Sequence, residues 1–163
     1  MEKEQLQQQW NDILQDATAE DMTYLQHVLT GLQHKQQGLH RRYLNAALHM
    51  TGEFYSDYSE VKMPITQIIH NTIKVPHGGI LATIADAAMG GLASRSTEPG
   101  LNVVTTNLSM NYIATTTNRE LIARATFIHK GKRTMVLQCE IKDETGRLLA
   151  TSNGSFFVIQ RRS

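Results

Sequence analysis

VPHGGILATIADAAMGGLAS, residues 75–94, decides the fold of this chain. From Gly78 to Ser94 the run carries one ionisable side chain, Asp86. Read as a helix, it shows Ile80, Ile84, Ala87, Ala88 and Gly91 on one side and Ala82, Thr83, Met89 and Gly90 around Asp86. A helix that is apolar on every side is a buried one. Interrupted by Gly and Asp, the run falls short of the about 20 mostly apolar residues of a membrane span. An unpaired buried charge is costly, so the lone carboxylate either keeps to a wet face or is put to use.

Gly78 and Gly79 stand where this helix begins. Their N–H groups are among those with no intrahelical partner. Free amides at the positive end of a helix dipole suit a developing oxyanion. Asp86 follows Gly79 by two helical turns, about 10.5 Å at roughly 1.5 Å rise per residue. One reacting carbonyl can hardly touch both, so joint participation of glycine and aspartate requires two copies of the chain.

A length of 163 residues suits one globular domain with a respectable core. Sixteen basic against fifteen acidic side chains leave a net charge of +1, which gives no whole-chain electrostatic case for nucleic acid or an anionic membrane. The single cysteine, Cys139, excludes an internal disulfide framework and a cysteine-based zinc site. It falls on an apolar strand face and reads as packing rather than as a nucleophile. His27, His34 and His40 have no tight spacing on one turn, so no metal is expected. No N-terminal apolar signal region is present, and a cytoplasmic location is the expectation.

Upstream of the central stretch, residues 1–50 read as a helical extension packed on the core. Leu6, Trp10, Ile13, Leu14 and Ala17 form one stripe at helical spacing, and Met22, Leu25, Val28, Leu29 and Leu32 form an inward stripe on a second helix. Thr18 with Asp21 resembles a capping pair, and Gly38 is a plausible stop. From Gly52 the period becomes two: Phe54, Tyr55, Tyr58, Val61 and Met63 mark one strand that Pro64 weakens or ends. Downstream, four strands are expected at 101–113, 120–130, 134–142 and 147–160, joined by short turns into an antiparallel meander. Val104, Thr106, Leu108, Met110 and Tyr112 alternate with Thr105, Asn107, Ser109 and Asn111. The economical arrangement is an α+β domain over 51–163, with an antiparallel sheet wrapped around the central helix. Side-by-side pairing of two chains would cover an edge strand.

Asn71, then His77-Gly78-Gly79, then Asp86 followed by Ala87-Ala88-Met89-Gly90, together with this order of elements, resembles the hotdog-fold thioesterases of the PaaI-like acyl-CoA thioesterase group. The likeness runs from about residue 39 to residue 160. The resemblance implies hydrolysis of an acyl-CoA thioester to free acid and coenzyme A, without a cofactor, by a homodimer or dimer of dimers whose sites span the interface. Asp86 matches the family's catalytic carboxylate, as nucleophile or as general base toward water. Gly79 or Gly78 matches the amide that polarises the thioester carbonyl, and Asn71 the asparagine that places water or substrate. Thr105 falls near the family's strand hydroxyl, with Thr106 or Asn107 taking that role if the register slips. His77 matches an organiser of the loop. Lys130, Lys132 and Arg133, in a hairpin turn, are either a solvated tip or a contact for coenzyme A phosphates. Asp rather than Glu at position 86 favours the PaaI-like branch, and the Asp and His pattern of hotdog enoyl-CoA hydratases is absent. The alternative functions are a non-catalytic acyl-CoA binder or sensor and a partner-binding module built on the N-terminal helices.

Overall fold

The structure, a computed structural model, describes residues 2–160. The outermost residues of the two expected domains, residue 1 and residues 161–163, lie outside the described residues. The chain forms two compact units, Met1–Leu48 and His49–Ser163.

The first unit holds α1 (Lys3–Asp16), α2 (Ala19–Gln36) and the short α3 (Tyr43–Ala47). Thr18 caps α2 in a complete capping box: its hydroxyl accepts the Asp21 N–H at 3.1 Å, and the Asp21 carboxylate accepts the Thr18 N–H at 2.9 Å. These bonds satisfy two donors that a helix start would otherwise leave free. Gly38, at φ 81°, turns the chain after α2. This left-handed conformation favours glycine. The two apolar stripes are not interior: Leu6, Ile13 and Leu14 are exposed, as are Met22, Val28, Leu29 and Leu32. Helical periodicity reports which side of a helix is apolar, and no element of this unit covers these sides.

The second unit contains β1 (Thr51–Phe54), β2 (Tyr58–Pro64), a 3₁₀ turn (Gln67–Ile69), α4 (Gly78–Arg95), β3 (Leu101–Tyr112), β4 (Glu120–Lys130), β5 (Thr134–Asp143) and β6 (Leu148–Gln160). One antiparallel sheet runs β1-β2-β4-β5-β6-β3. It differs from the expected arrangement in two places. The single strand expected from Gly52 to Met63 is a hairpin, closed by Tyr55 N–H on the Tyr58 carbonyl at 2.9 Å. Aromatic alternation ran through the Ser56-Asp57 turn and hid it. The expected four-strand meander is only β4-β5-β6, because β3 lies at the far edge against β6 and residues 113–119 carry the chain back across the sheet. Turn-forming residues signal a reversal of direction, and they do not signal which strand the chain joins next.

The sheet wraps α4. Leu121, Ala123, Leu137, Ile141, Ala150 and Phe156 are fully buried against Ile84, Ala85, Ala88, Met89 and Leu92 of the helix. Ser59 Oγ donates to the Ala88 carbonyl at 2.8 Å and ties sheet to helix in the core. Fully burying one such aliphatic side chain is worth about 1.5–3 kcal/mol. The helix is nevertheless not enclosed on all sides: Ala82, Thr83, Asp86, Ala87 and Gly90 are half-buried.

A β-bulge between Thr105 and Asn107 shifts the register of β3 on β6. Thr105 pairs with Phe156, whereas Tyr112 pairs with Ala150, and both partners point into the core. Strict alternation would send residues seven apart to opposite faces. The extra residue puts Thr105 and Tyr112 on the same helix-facing side, contrary to the two alternating sets expected from the sequence.

Candidate active site

The approach to α4 is a closed loop. His77 N–H donates to the Ile69 carbonyl at 2.8 Å, and Asn71 N–H donates to the Val75 carbonyl at 2.8 Å. Asn71 Oδ1 accepts the N–H groups of Ile73 (3.0 Å) and Val75 (3.3 Å), and Lys74 takes φ 59° to complete the turn. Asn71 thus builds the loop through its carbonyl oxygen. Its Nδ2 has no protein partner among the described residues.

His77 is the N-cap of α4, and its Nδ1 accepts the Gly79 N–H at 3.0 Å. An imidazole that accepts at Nδ1 in its neutral form carries its proton on Nε2. The N–H groups of Ile80 and Leu81 return to the His77 carbonyl. Of the two glycine amides, Gly79's is therefore occupied, while Gly78's has no protein partner among the described residues. Gly78 faces a cleft of about 210 Å³ whose walls include Asn71, Val75, Pro76, Tyr112 and Leu149. Neither a carboxylate nor a cation lines it.

Asp86 lies eight residues along the same helix, about 12 Å from Gly78 at roughly 1.5 Å per residue. Thr105 Oγ1 donates to Asp86 Oδ1 at 2.8 Å. No cation pairs with Asp86 among the described residues, so its one fixed partner is a neutral hydroxyl. The sequence-expected residues thus fall into two groups: Asn71, His77, Gly78 and Gly79 at the helix start, and Asp86 with Thr105 at its middle. Lys130, Lys132 and Arg133 join neither. They are exposed at the β4–β5 tip, with Lys130 Nζ 5.2 Å from the centre of the Phe127 ring. From Glu120, near the cleft's Thr116 wall, β4 runs eleven residues to Lys130. At the usual rise of a strand that is a span on the order of 30 Å. Cys139 is buried, and burial above all pushes its thiol up to about 12.

A second cleft, of about 380 Å³, shares Thr115 and Thr116 with the first and is walled by Asn118, Asp143, Thr145 and Arg147. Asp143, the last residue of β5, was not singled out from the sequence. The buried carboxylate accepts from the Thr145 hydroxyl (2.6 Å), Asn118 Nδ2 (2.8 Å), the Thr145 N–H (3.0 Å), the Thr116 hydroxyl (3.0 Å) and the Arg147 N–H (3.1 Å). These donors, led by the Thr145 hydroxyl and opposed by burial, hold its carboxyl down at about 2. Hydrogen bonds to the charged form lower a carboxyl's pKa in this way. Glu144 accepts the N–H groups of Arg119 (2.9 Å) and Glu120 (3.1 Å). The two acidic side chains fasten the 113–119 crossover that walls the Gly78 cleft. Tyr112, read from sequence as one member of the alternation along β3, was not singled out either; its side chain is exposed, and its hydroxyl donates to the Gly78 carbonyl at 3.0 Å. Among the described residues no group of three or more His, Cys, Asp or Glu side chains could hold a metal ion. No described helix is long and apolar enough to cross a membrane.

Comparison with known proteins gives this geometry its class. The sequence model of the thioesterase superfamily matches residues 74–150. A 1,4-dihydroxy-2-naphthoyl-CoA hydrolase of Listeria monocytogenes is 31% identical over 102 residues, which is 63% of this chain and 83% of that protein. The crystal structure of a Bacillus halodurans protein with CoA superposes with a TM-score of 0.86 at 30% identity, over 93% of this chain and 99% of that one. A Haemophilus influenzae thioesterase superposes with a TM-score of 0.69 at 26% identity, over 72% of this chain and 82% of that one. The sheet wrapped around α4 is a hotdog fold. The chain belongs to the thioesterase superfamily and is a thioester hydrolase.

Proposed function

We propose that the chain hydrolyses acyl-CoA thioesters as a homodimer or dimer of dimers, with the Gly78 N–H of one copy and Asp86 of another serving one site. One observation carries this reading: the cleft that holds the unoccupied Gly78 amide contains no carboxylate, and Asp86 lies about 12 Å along the same helix. The thioester carbonyl oxygen takes the Gly78 N–H, where the helix dipole and the fixed peptide stabilise the oxyanion. Gly78 is preferred to Gly79 because His77 Nδ1 already holds the Gly79 amide.

Asp86 then drives the attack. As nucleophile its oxygen bonds to the acyl carbon, the C–S bond breaks, and water hydrolyses the resulting anhydride. As general base it takes a proton from the water that attacks. In either route the departing thiolate is protonated to coenzyme A and the acid is released. Thr105 orients the carboxylate through its 2.8 Å hydrogen bond, leaving Oδ2 for chemistry. Asn71 Nδ2 serves a water or substrate contact, and His77 keeps the helix start in shape. The exposed edge of β3, which carries Thr105, is the surface on which a second copy would bring the two groups together. A coenzyme A phosphate contact by Lys130, Lys132 or Arg133 falls to the copy that supplies Asp86, since that tip is remote from the Gly78 cleft of its own chain. The CoA of the Bacillus halodurans structure and the naphthoyl-CoA named for the Listeria hydrolase support CoA as the thiol carrier.

The test is thiol release from short, medium, long and aromatic acyl-CoA esters. Asp86→Asn should lower turnover at least ~100-fold while leaving the melting temperature in place. Acyl-CoA binding without thiol release by the unmodified protein would instead make it a carrier or sensor.

A further inference from the structure

Tyr112 touches the proposed oxyanion glycine from two directions. Its hydroxyl donates to the Gly78 carbonyl at 3.0 Å. Its ring lies so close that a Cβ added to Gly78 would sit 3.2 Å from Cζ and 3.3 Å from both Cε1 and Oη. The backbone that carries it is fixed: Tyr112 ends β3 opposite Ala150, and the next two N–H groups, of Ile113 and Ala114, both donate to the Leu149 carbonyl at 2.9 and 3.0 Å. It forms a wall of the Gly78 cleft.

We infer that Tyr112 is a positioning residue of the active site: it holds the peptide that follows Gly78, while the Ile80 and Leu81 N–H groups hold the His77 carbonyl of the peptide before it, so that the Gly78 N–H is aimed before the substrate arrives. The inference rests on the assignment of that N–H to the thioester oxygen. A helix start is the part of a helix most free to fray, because its first N–H groups have no intrahelical partners. An oxyanion donor stabilises the transition state best when it needs no reorganisation as charge develops. His77 holds the next amide, Gly79, from the loop side. Tyr112 holds the Gly78 carbonyl from the sheet side, so the first turn of α4 is clamped between two elements. The single phenolic proton is already committed to the Gly78 carbonyl, which excludes the hydroxyl as a second donor to the oxyanion in this geometry. Glycine at 78 follows from the same contact. A Cβ at 78 would come closer to the ring than ordinary van der Waals contact, so any other residue there would push the tyrosine back by a few tenths of an ångström.

The experiment is acyl-CoA hydrolysis by Tyr112→Phe, Tyr112→Ala, Gly78→Ala and the Tyr112→Ala/Gly78→Ala double variant, with Asp86→Asn in parallel. Tyr112→Phe keeps the ring and loses the hydrogen bond. It should lower kcat about tenfold with KM within about twofold, the pattern of an interaction that matters in the transition state rather than in binding. Gly78→Ala keeps its N–H but pushes on the ring, so it should lower kcat in the parent and by less than about twofold in the Tyr112→Ala background. Melting temperatures confirm that each variant is folded. An unchanged kcat in Tyr112→Phe, a rise in KM alone, or simple multiplication of the two losses in the double variant would overturn the inference while Asp86→Asn remains inactive. Full activity in Asp86→Asn would overturn the proposed mechanism instead.

Discussion

The two groups proposed for the chemistry lie on one helix and have opposite characters. At the start of α4 there is a cleft, an unoccupied amide and no carboxylate. At its middle there is a carboxylate with a hydroxyl partner, and Asp86 lines neither of the two clefts described above. Each region has what the other lacks. Helix geometry keeps them about 12 Å apart, so no bending of the chain short of breaking α4 could unite them. If both groups serve one carbonyl, as proposed above, the unit able to act is larger than the unit that folds.

The comparison is broken most severely by removing the amide. Gly78→Pro deletes the N–H at a first helical position, where proline is tolerated. His77, at ψ 137°, already has the extended backbone that suits the residue before a proline. Turnover should fall about 100- to 1000-fold relative to Gly78→Ala, which carries a Cβ but keeps the N–H. Equal activities of the two variants would show that this amide does no chemistry.

Complementation sharpens the comparison. Asp86→Asn and Gly78→Pro are each expected to be nearly inactive, but a mixed dimer has one site with both a sound amide and a sound carboxylate. Equal mixing with subunit exchange should therefore restore about a quarter of parental activity, as random pairing in a two-fold dimer dictates. No recovery, with exchange verified by mass spectrometry of differently tagged chains, would place both groups in one copy.

A smaller effect belongs to Thr105→Val, which removes the one hydrogen bond that fixes Asp86. Turnover should drop about tenfold, the equivalent of a bond to a charged group worth about 1.4 kcal/mol. Thr105→Ser should recover most of the loss, because it restores the donor.

The smallest effect on activity, and a diagnostic one on stability, belongs to Asp143. Its carboxyl is held below the ordinary value of 3.8, at about 2. Ionised Asp143 therefore favours the folded chain, fully so above the ordinary carboxylate value, and the contribution is lost as pH falls through the folded one. Asp143→Asn should melt lower than the parent near neutral pH. The gap should narrow as pH drops below 3.8 and close as it passes about 2. A gap that stays constant through that window would remove the carboxylate from the stability of the crossover.

Much of this arrangement was legible in the amino-acid order, for identifiable reasons. An apolar run with one carboxylate and two leading glycines could only be a core helix with an exposed start, and α4 begins at Gly78. Strand limits were also readable, because residues such as Lys130-Gly131 and Asp143 to Gly146 mark reversals that local chemistry enforces. What was not legible depends on the third dimension. The place of β3 beside β6 rests on a crossover whose anchors, Thr116 and Asn118, meet Asp143 from 27 and 25 positions away. The choice between Gly78 and Gly79 turned on where one histidine nitrogen points. Tyr112 and Thr105 looked like opposite faces of a strand because a bulge leaves no mark in an alternating sequence.

That bulge also bears on how the protein behaves in concentrated solution. β3 is a twelve-residue edge strand. With an uninterrupted row of backbone donors and acceptors, such an edge would accept almost any extended peptide as a neighbour. The irregularity between Thr105 and Asn107 divides the row into two short ladders out of step with each other. A foreign strand can match one ladder or the other. Only a strand with a complementary irregularity would match both, so the bulge is expected to make this edge a poor template for a regular strand.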